Sequence, residues 1–132
     1  MTSDREQIDD LLTDYAIALD LDDIEAAVQL FTPDGGFEVY GRRFAGWDDL
    51  RAMMTAAPRG MHLAGRAQIT VDGDRATVRS QLVFIEAAMT ETRMAIYDDV
   101  VVKADGCWRF QTRRCRFLTP DGLSDRPAKL NR

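Results

Sequence analysis

The chain has 132 residues, of which 45% are hydrophobic and 30% are charged, and its formal net charge at pH 7 is -5. This length and composition predict one domain with a core of its own. An acidic chain lacks the basic surface typical of nucleic-acid binding, and no apolar run approaches the roughly 20 residues of a membrane-spanning helix, so neither partner is expected.

The cysteines and the N-terminus predict a cytoplasmic location. Cys107 and Cys115 flank a single predicted strand. Residues that far apart on an extended strand are separated by roughly 26 Å, which is beyond the reach of a disulfide bond. Reduced thiols are typical of the cytosol. The first residues do not form a basic start followed by an apolar run, so no signal peptide is expected.

Two helices are predicted at the start of the chain. Ser3 and Glu6 form a capping box, and the apolar residues that follow recur with helical period, namely Ile8, Leu11, Leu12, Tyr15 and Leu19. This helix should end near Asp20. A second capping pattern, Asp22 with Glu25, begins a shorter helix. It should end at the segment Thr-Pro-Asp-Gly-Gly, because proline cannot continue a helix and glycine permits a turn.

Strands dominate the rest of the chain. A strand or short hairpin around Gly41 is predicted at residues 36–44, and a third helix follows at residues 47–54. Longer strands are predicted at residues 61–71, 75–88, 92–104 and 107–118, with Asp-Gly turns joining them into two hairpins. From Thr119 to Arg132 the chain is polar and should form a loose tail.

This order of elements predicts an α+β fold in a single domain over residues 1–118, with three N-terminal helices packed on one face of a curved sheet. Long antiparallel strands twist strongly, so the sheet should form a cone whose mouth is a natural ligand site. The alternative is that the length of the strands serves packing between two copies of the chain.

Several motifs carry a family resemblance. They are YAIALDLDDIEAAVQLFTPDGGFEVYG at residues 15–41, GWDDL from Gly46, GMHL around His62, VDGDRATV from Val71, YDD from Tyr97 and DGCWRF at residues 105–110. Together they resemble the SnoaL-like branch of the nuclear transport factor 2-like superfamily over roughly residues 5–118. The resemblance implies a cone-shaped, antiparallel or mixed sheet wrapped around the helices. It does not imply one activity, since this fold hosts many chemistries.

Two enzymes of that superfamily are matched poorly. Ketosteroid isomerase has a catalytic aspartate after a glutamate in its first strand, whereas Val39 follows Glu38 here, and its second acid corresponds to Ile96. Limonene epoxide hydrolase uses an Asp–Arg–Asp set for which the chain has no recognisable equivalent. Because Val39 stands where the isomerase has its aspartate, the isomerase base is missing.

The dehydratases of the superfamily are matched better. Scytalone dehydratase, bile acid 7α-dehydratase and the related dehydrochlorinase pair an aspartate at the end of the first helix with a histidine after the third helix. These positions are Asp20 and His62, and a tyrosine of the bile acid enzyme corresponds to Tyr15. The second histidine of scytalone dehydratase has no counterpart, and its first-strand tyrosine falls near Val39. The resemblance implies a Tyr–Asp–His site and argues against scytalone itself as the substrate.

A histidine–aspartate dyad suits elimination. A neutral imidazole takes a proton from a carbon next to a carbonyl group, while the carboxylate fixes its tautomer and stabilises the imidazolium. A tyrosine hydroxyl polarises the carbonyl or assists a leaving hydroxyl. This chemistry needs no metal or other cofactor, and one histidine with two distant cysteines gives no recognisable metal-ligand spacing.

Each of the three residues also has a purely structural interpretation. Strict strand alternation places His62 on a polar, solvent-facing side, unless a bulge near Gly65 reverses the pattern. Asp20 competes with neighbouring acids for a helix-capping role, although Asp22 fits that role best. The ring of Tyr15 lies on the apolar stripe of the first helix, which leaves only its hydroxyl for a site.

The ligand is expected to be small and hydrophobic. The side chains that either line the pocket or belong to the core are Phe37, Val39, Trp47, Met53, Met54, Phe84, Met89 and Tyr97. Their excess of methionine and aromatic groups suits a flat polyketide, steroid or aromatic compound. Asp98 and Arg113 are expected to form a surface salt bridge rather than a buried pair.

The leading prediction is a cofactor-independent lyase or isomerase-type enzyme acting on a small hydrophobic carbonyl compound. A non-catalytic binding or assembly module remains open and would be marked by a His62 that points outward. A polyketide cyclase or epoxide hydrolase also remains open and would be marked by two carboxylates holding a water molecule. The resemblance implies a homodimer, and the apolar strand faces that include Val83, Ile85 and Val101 exceed what one layer of helices covers.

Overall fold

The computed structural model describes residues 2–128 of the chain. Within them, the helices are α1 (Asp4–Asp20), α2 (Ile24–Val28) and α3 (Trp47–Ala56). The strands are β1 (Phe31–Val39), β2 (Arg42–Ala45), β3 (Gly60–Ala64), β4 (Gln68–Asp72), β5 (Arg75–Glu86), β6 (Thr92–Ala104), β7 (Cys107–Thr119) and β8 (Gly122–Ser124). The order of the three helices and of the long strands β5, β6 and β7 agrees with the sequence-based prediction.

The strands form one mixed, curved and unclosed sheet with the order β2-β1-β7-β6-β5-β3. Strand β4 pairs with β5 beyond the end of β3, and β8 pairs with β7. All pairs are antiparallel except β1 with β7, which is parallel. The predicted α+β class, with helices on one face of a curved sheet, is confirmed.

The first strand begins earlier than predicted. Phe31 was expected at the end of the second helix, but it pairs with Phe110 as the first residue of β1, and a register shift separates it from Gly36. A Cβ at Gly35 would meet the carbonyl oxygen of Phe110 at 2.8 Å. Gly35 therefore allows a close approach of β1 to β7, and Gly36 leaves room for the Arg43 side chain of β2, where a turn had been predicted.

The second helix is capped by a different acid from the one predicted. The side chain of Asp23 accepts a hydrogen bond from the backbone of Ala26 at 3.2 Å. Asp22, the predicted cap, adopts a backbone φ of 60° and pairs with Arg59 at 2.9 Å. The left-handed turn after α1 uses one residue more than the sequence pattern indicated, so the cap moves by one position.

Residues 61–71 form two strands rather than one. Strands β3 and β4 both pair with β5, and the chain between them leaves the ladder around Gly65. Ile69 is buried on β4, whereas Met61 and Leu63 are each 52% exposed on β3. The inward-facing positions therefore change from even to odd numbers across the break, which is the reversal that a bulge near Gly65 was expected to produce.

The core lies between the helices and the inner face of the sheet. The ring of Tyr15 on α1 packs edge-on against Phe31 and Phe110, with centroids 6.0 and 5.5 Å away. Phe31 and Phe110 are fully buried. This aromatic cluster joins α1 to the parallel β1–β7 pair and sets where the C-terminal end of α1 reaches the sheet.

The last strand, β8, was not predicted, because residues 122–124 lie in the segment expected to be a loose tail. Leu123 pairs with Leu118 of β7 in this strand. Residues 129–132 of that predicted tail lie outside the described residues, and the single-domain boundary at residue 118 stays a prediction. Cys107 and Cys115 are free thiols. No helix among residues 2–128 is long and apolar enough to cross a membrane.

Close packing of β3 on β5 predicts that replacing Gly60 destabilises the fold. A Cβ at this position would collide with the carbonyl oxygen of Ile85 and lie 2.7 Å from the ring of Phe84. We expect Gly60→Ala to lower the free energy of unfolding by about 1–3 kcal/mol, because backbone atoms must move. Urea unfolding followed by circular dichroism measures the change.

The matched control is Gly65→Ala in the break after β3. The nearest atom to a Cβ there is Oε1 of Gln81 at 3.5 Å, which is an ordinary contact. The free energy of unfolding should change by less than about 0.5 kcal/mol. Equal destabilisation of the two variants would contradict the close approach of β3 to β5.

Candidate active site

Asp20 and His62 meet where the end of α1 packs on β3. Nδ1 of His62 lies 2.7 Å from Oδ1 of Asp20. The backbone N–H of His62 also donates to the carboxylate, at 3.0 Å to Oδ1 and 3.2 Å to Oδ2. Asp20 therefore holds the histidine by both its main chain and its ring, which fixes the position and the orientation of the imidazole.

The hydrogen bond sets the tautomer of His62. An ionised carboxylate only accepts hydrogen bonds, so Nδ1 carries the proton of the neutral ring and Nε2 keeps its lone pair. Among residues 2–128, no side chain or backbone group hydrogen-bonds to Nε2. The ring lies 4.7 Å from the ring of Phe84, measured between centroids. The free nitrogen is thus available to a ligand beside an aromatic wall.

Burial keeps the imidazole neutral. It lowers the pKa of His62 below the ordinary value of 6.5, and the charge of Arg113 acts in the same direction. The hydrogen bond and the charge of Asp20 oppose this change but do not outweigh it. At pH 7 the ring is therefore a neutral base, able to accept a proton.

His62 belongs to a cavity of about 600 Å³, within the size range of small-molecule sites. Most of the surface of the cavity is apolar. The predicted residues that line it are Tyr15, Phe37, Val39, Met53, Met54, His62, Phe84 and Tyr97. Other lining residues include Leu19, Tyr40, Arg42, Leu82, Arg93, Cys115 and Phe117. Asp20 is not a lining residue; it contacts His62, which is.

Two predicted wall residues lie elsewhere. Trp47 does not line the cavity; its indole N–H donates to the carbonyl oxygen of Phe31 at 3.0 Å, so it fastens α3 to β1. Met89 is 81% exposed in the turn after β5. Apolar composition alone does not separate side chains that pack between elements from side chains that face a cavity, and these two predictions were wrong for that reason.

Tyr15 and Tyr97 present phenol groups to the cavity. Tyr15 and Tyr97 are 3% and 4% exposed, and neither hydroxyl has a hydrogen-bond partner among the described residues. Burial raises the pKa of both phenols above the ordinary value of 10.0. Both hydroxyls therefore stay protonated at neutral pH and can donate to an oxygen of a ligand.

A buried ion pair lies beneath these rings. Nε of Arg113 is 3.2 Å from Oδ1 of Asp99, and the two side chains are 1% and 0% exposed. The guanidinium centre is 3.6 Å from the ring of Tyr97 and 4.6 Å from those of Tyr15 and Phe110. Burial raises the pKa of Asp99 to about 6, although Arg113 opposes the change. A positive charge thus sits behind the two phenols.

The partner of Arg113 differs from the one predicted from the sequence. Asp98 lies on the outer face of the sheet, where it pairs with Arg79 at 2.7 Å and with Arg116 at 2.8 Å. Asp99, one residue later, faces inward opposite Arg113 in the β6–β7 register. The choice between neighbouring aspartates depends on the register shift between Val100 and Val101, which the sequence pattern does not reveal.

The sequence pattern did not identify Tyr40, Arg42 and Arg93 as polar residues of the cavity, nor the pairing of Arg113 with Asp99. Inward alternation with Cys115 and Phe117 on β7 was the one signal that placed Arg113 on the inner face. Burial raises the pKa of the Cys115 thiol to about 12, so it is neutral and a poor nucleophile. Within residues 2–128, no group of three or more His, Cys, Asp or Glu side chains is placed to hold a metal ion.

The pKa of His62 is directly measurable, because it is the only histidine in the chain. We expect its ring signals in an NMR titration to give a midpoint below 6.5, since burial disfavours the charged form. Asp20→Asn removes the group that raises the pKa, so the midpoint should fall further.

The comparison variant is Asp14→Asn on the exposed side of α1, which should leave the midpoint unchanged. The unfolded chain in urea supplies the reference value, expected near 6.5. A midpoint above that reference in the folded protein would mean that Asp20 outweighs burial, contrary to the geometry described above.

Comparison with solved structures finds the same fold in several proteins. A protein of unknown function from Mycobacterium tuberculosis is 33% identical, with a TM-score of 0.79 and coverage of 84% of this chain and 69% of that one. An NTF2-like protein with a cystatin-like fold from Novosphingobium aromaticivorans is 26% identical, with a TM-score of 0.81 and coverage of 89% and 83%. A hexachlorocyclohexane dehydrochlorinase is 15% identical, with a TM-score of 0.75 and coverage of 95% and 88%.

The family assignment rests on the sequence. No curated protein matches the chain. The family model of the SnoaL-like domain matches residues 1–114, which is most of the chain. The fold expected of the nuclear transport factor 2-like superfamily is the one observed, and the chain belongs to the SnoaL-like family.

Proposed function

We propose that the protein is a cofactor-independent lyase that eliminates water from a small hydrophobic carbonyl compound. The observation that carries the proposal is the 2.7 Å contact between His62 Nδ1 and Asp20, with Nε2 left free beside the cavity. A base of this kind, neutral at pH 7 and held in one tautomer, suits abstraction of a proton next to a carbonyl group. The fold is shared with a dehydrochlorinase, whose name also states an elimination.

The proposed reaction begins at the carbon next to the carbonyl. Nε2 of His62 takes the proton, and the electron pair of the C–H bond moves towards the carbonyl oxygen. The Tyr15 hydroxyl, with that of Tyr97 beside it, donates hydrogen bonds to the oxygen as its negative charge grows. Asp20 stabilises the imidazolium through its hydrogen bond to Nδ1.

The second half of the reaction expels the hydroxyl group on the next carbon. The electron pair returns from the oxygen to form a carbon–carbon double bond, and the C–O bond breaks. The imidazolium of His62 gives its proton to the departing hydroxyl, which leaves as water, so the base is regenerated. The cation of Arg113 behind the two phenols favours the negatively charged intermediate over the neutral substrate.

The cavity supports a flat, apolar substrate body. Phe37, Val39, Met53 and Phe84 present apolar walls around His62. A volume of about 600 Å³ suits a compound with several fused rings, such as a polyketide, steroid or aromatic compound. An outward-pointing His62 would have favoured a non-catalytic binding module. His62 lines the cavity instead, which favours the enzyme. Asp22, a second carboxylate at the cavity, is paired with Arg59, which disfavours a water held by two carboxylates.

We propose that the protein acts as a homodimer joined through the outer face of the sheet. Met61, Leu63, Val83 and Met94 are between 37% and 55% exposed. Leu63 pairs with Val83 and Val83 with Met94, so three of them form a continuous row across β3, β5 and β6. An exposed apolar row of this kind marks an interface. Val101, predicted to share this face, is fully buried in the core.

Substitution of the dyad tests the proposed reaction. We expect His62→Gln and Asp20→Asn to lower kcat by about 10²–10⁴-fold, because each removes the oriented base. Tyr15→Phe should cost about 10–10³-fold, the effect of one hydrogen-bond donor. Formation of the conjugated carbonyl product from polycyclic β-hydroxy ketones is followed by ultraviolet absorbance.

The pH profile gives an independent readout. Since only neutral His62 is active, kcat/KM should rise with pH and level off above an inflection below 6.5, in agreement with the lowered pKa. Asp14→Asn on the exposed side of α1 should match the wild type. Full activity of His62→Gln, or no elimination by the wild type with any β-hydroxy ketone, would refute the lyase and favour the binding module.

The dimer is tested by a charge on its apolar row. We expect Leu63→Glu to give a monomer in sedimentation velocity, because a buried carboxylate without a partner opposes association. Ala104→Glu, in an exposed position at the end of β6, should remain a dimer. A monomeric wild type would contradict the proposed interface.

A further inference from the structure

Arg93 on β6 lines the same cavity as His62 and Phe84. His62 lies opposite Phe84 in the β3–β5 register, and Phe84 lies opposite Arg93 in the β5–β6 register. Residues directly opposite each other on neighbouring strands project to the same face of a sheet. The three side chains therefore form one row on the inner face, and two strand spacings, roughly 10 Å, separate the backbone of His62 from that of Arg93.

Arg93 is held in place by two neighbours. Its Nε and Nη2 donate to Oε2 of Glu91 at 3.2 and 2.8 Å, and its Nη1 donates to the hydroxyl of Tyr40 at 2.9 Å. The ring of Tyr40 stacks on Phe117 with centroids 5.7 Å apart. The guanidinium thus extends from β6 across β7 towards the end of β1, away from His62.

The tyrosine is fixed by the turn between β1 and β2. Tyr40 and Gly41 have positive φ angles of 57° and 69°, which are typical of a tight hairpin turn whose twist matches the flanking strands. The backbone N–H of Tyr40 donates to the carbonyl oxygen of Asp125. Arg93 and Tyr40 are therefore oriented before any ligand enters, which lowers the entropic cost of binding.

Donors remain after these contacts. A guanidinium has five N–H groups, and three are used by Glu91 and Tyr40. Two N–H groups remain, and the hydroxyl proton of Tyr40 is a third donor, because the Tyr40 oxygen accepts from Arg93. Arg93 and Tyr40 both line the cavity. Two guanidinium N–H groups with an adjacent hydroxyl match the two oxygens of a carboxylate better than one neutral carbonyl.

The local charge also favours an anion. The chain carries a formal net charge of -5, yet Arg42 lines this part of the cavity and the guanidinium centre of Arg126 lies 5.9 Å from the Tyr40 ring. Within residues 2–128, neither of these arginines forms an ion pair with a carboxylate. The carboxylate of Asp125 beside the same turn is paired with Arg114 at 3.8 Å. Arg42, Arg93 and Arg126 against the carboxylate of Glu91 therefore give this end of the cavity a positive excess in an acidic protein.

We propose that Arg93 and Tyr40 bind a carboxylate at the end of the substrate opposite the carbon that reacts at His62. The substrate would be an amphipathic acid with an apolar ring system between its two polar ends. This inference rests on the proposed lyase function for the identity of the reacting end. The binding of the carboxylate is a separate property of the cavity.

The test uses a matched pair of rigid probes, biphenyl-4-carboxylate and biphenyl-4-carboxamide, with binding measured by calorimetry. We expect the wild type to bind the carboxylate about tenfold more tightly, because an ionised acceptor forms the stronger hydrogen bonds with a guanidinium. Arg93→Gln should remove this preference and leave the affinity for the carboxamide unchanged. Tyr40→Phe should reduce the preference by about twofold to fivefold.

The matched control is Arg79→Gln, which removes an arginine that pairs with Asp98 on the outer face of the sheet. It should retain the full preference. If Arg93→Gln fails to fold by circular dichroism, Arg93→Lys replaces it, since lysine keeps the charge but loses the planar fork, and the preference should fall by about threefold or more. An unchanged preference in the folded Arg93 variant, or no preference for the carboxylate in the wild type, overturns the proposal.

The same probes separate this proposal from the lyase proposal. His62→Gln should keep the carboxylate preference, because His62 lies at the other end of the cavity. A wild type that prefers the carboxylate without any elimination activity would refute the lyase and leave the anion site standing. A wild type that dehydrates neutral ketones with no carboxylate preference would refute the anion site alone.

Discussion

The three hydrogen bonds between His62 and the carboxylate of Asp20 are the constraint on which the site depends. A carboxylate at the last residue of α1 is unfavourable by itself, since the C-terminal end of a helix carries partial negative charge. Donation from the backbone of β3 offsets that cost. The same contact joins the helix layer to an edge strand of the sheet, so the position of the base is tied to the packing of the fold.

The environment of the dyad assigns different protonation states to neighbouring groups. Burial holds His62 as a neutral base and holds the phenols of Tyr15 and Tyr97 as donors, by lowering the pKa of the first and raising those of the others. One apolar cavity thus provides a proton acceptor and hydrogen-bond donors at the same pH. Such a separation of roles is what acid–base chemistry at neutral pH requires.

Much of the fold follows from local sequence pattern, and the differences have local causes. Capping at Ser3, helical periodicity and Asp-Gly turns placed α1 and the β5–β6–β7 strands within a few residues. The pattern predicted a strand from Gly36 but missed the start of β1 at Phe31, because Gly35 and Gly36 serve close strand packing as well as turns. The pairing of Asp99 rather than Asp98 with Arg113 depends on a register shift in β6–β7, which is set by tertiary contacts.

The buried Arg113–Asp99 pair beneath the tyrosines lowers the stability of the fold, and this cost favours a functional role for the pair. Both carboxylate oxygens of Asp99, the hydroxyl of Ser80 and two guanidinium nitrogens of Arg113 are buried without an aligned hydrogen-bond partner among the described residues. Each such group costs about 1–3 kcal/mol, and apolar residues of similar volume would avoid that cost. A fold selected for stability alone would not favour the arrangement. What the pair adds is a fixed guanidinium, 3.6 Å from the ring of Tyr97 and 4.6 Å from that of Tyr15, whose charge is balanced by Asp99 and whose position suits a negative charge on an oxygen bound by the two phenols.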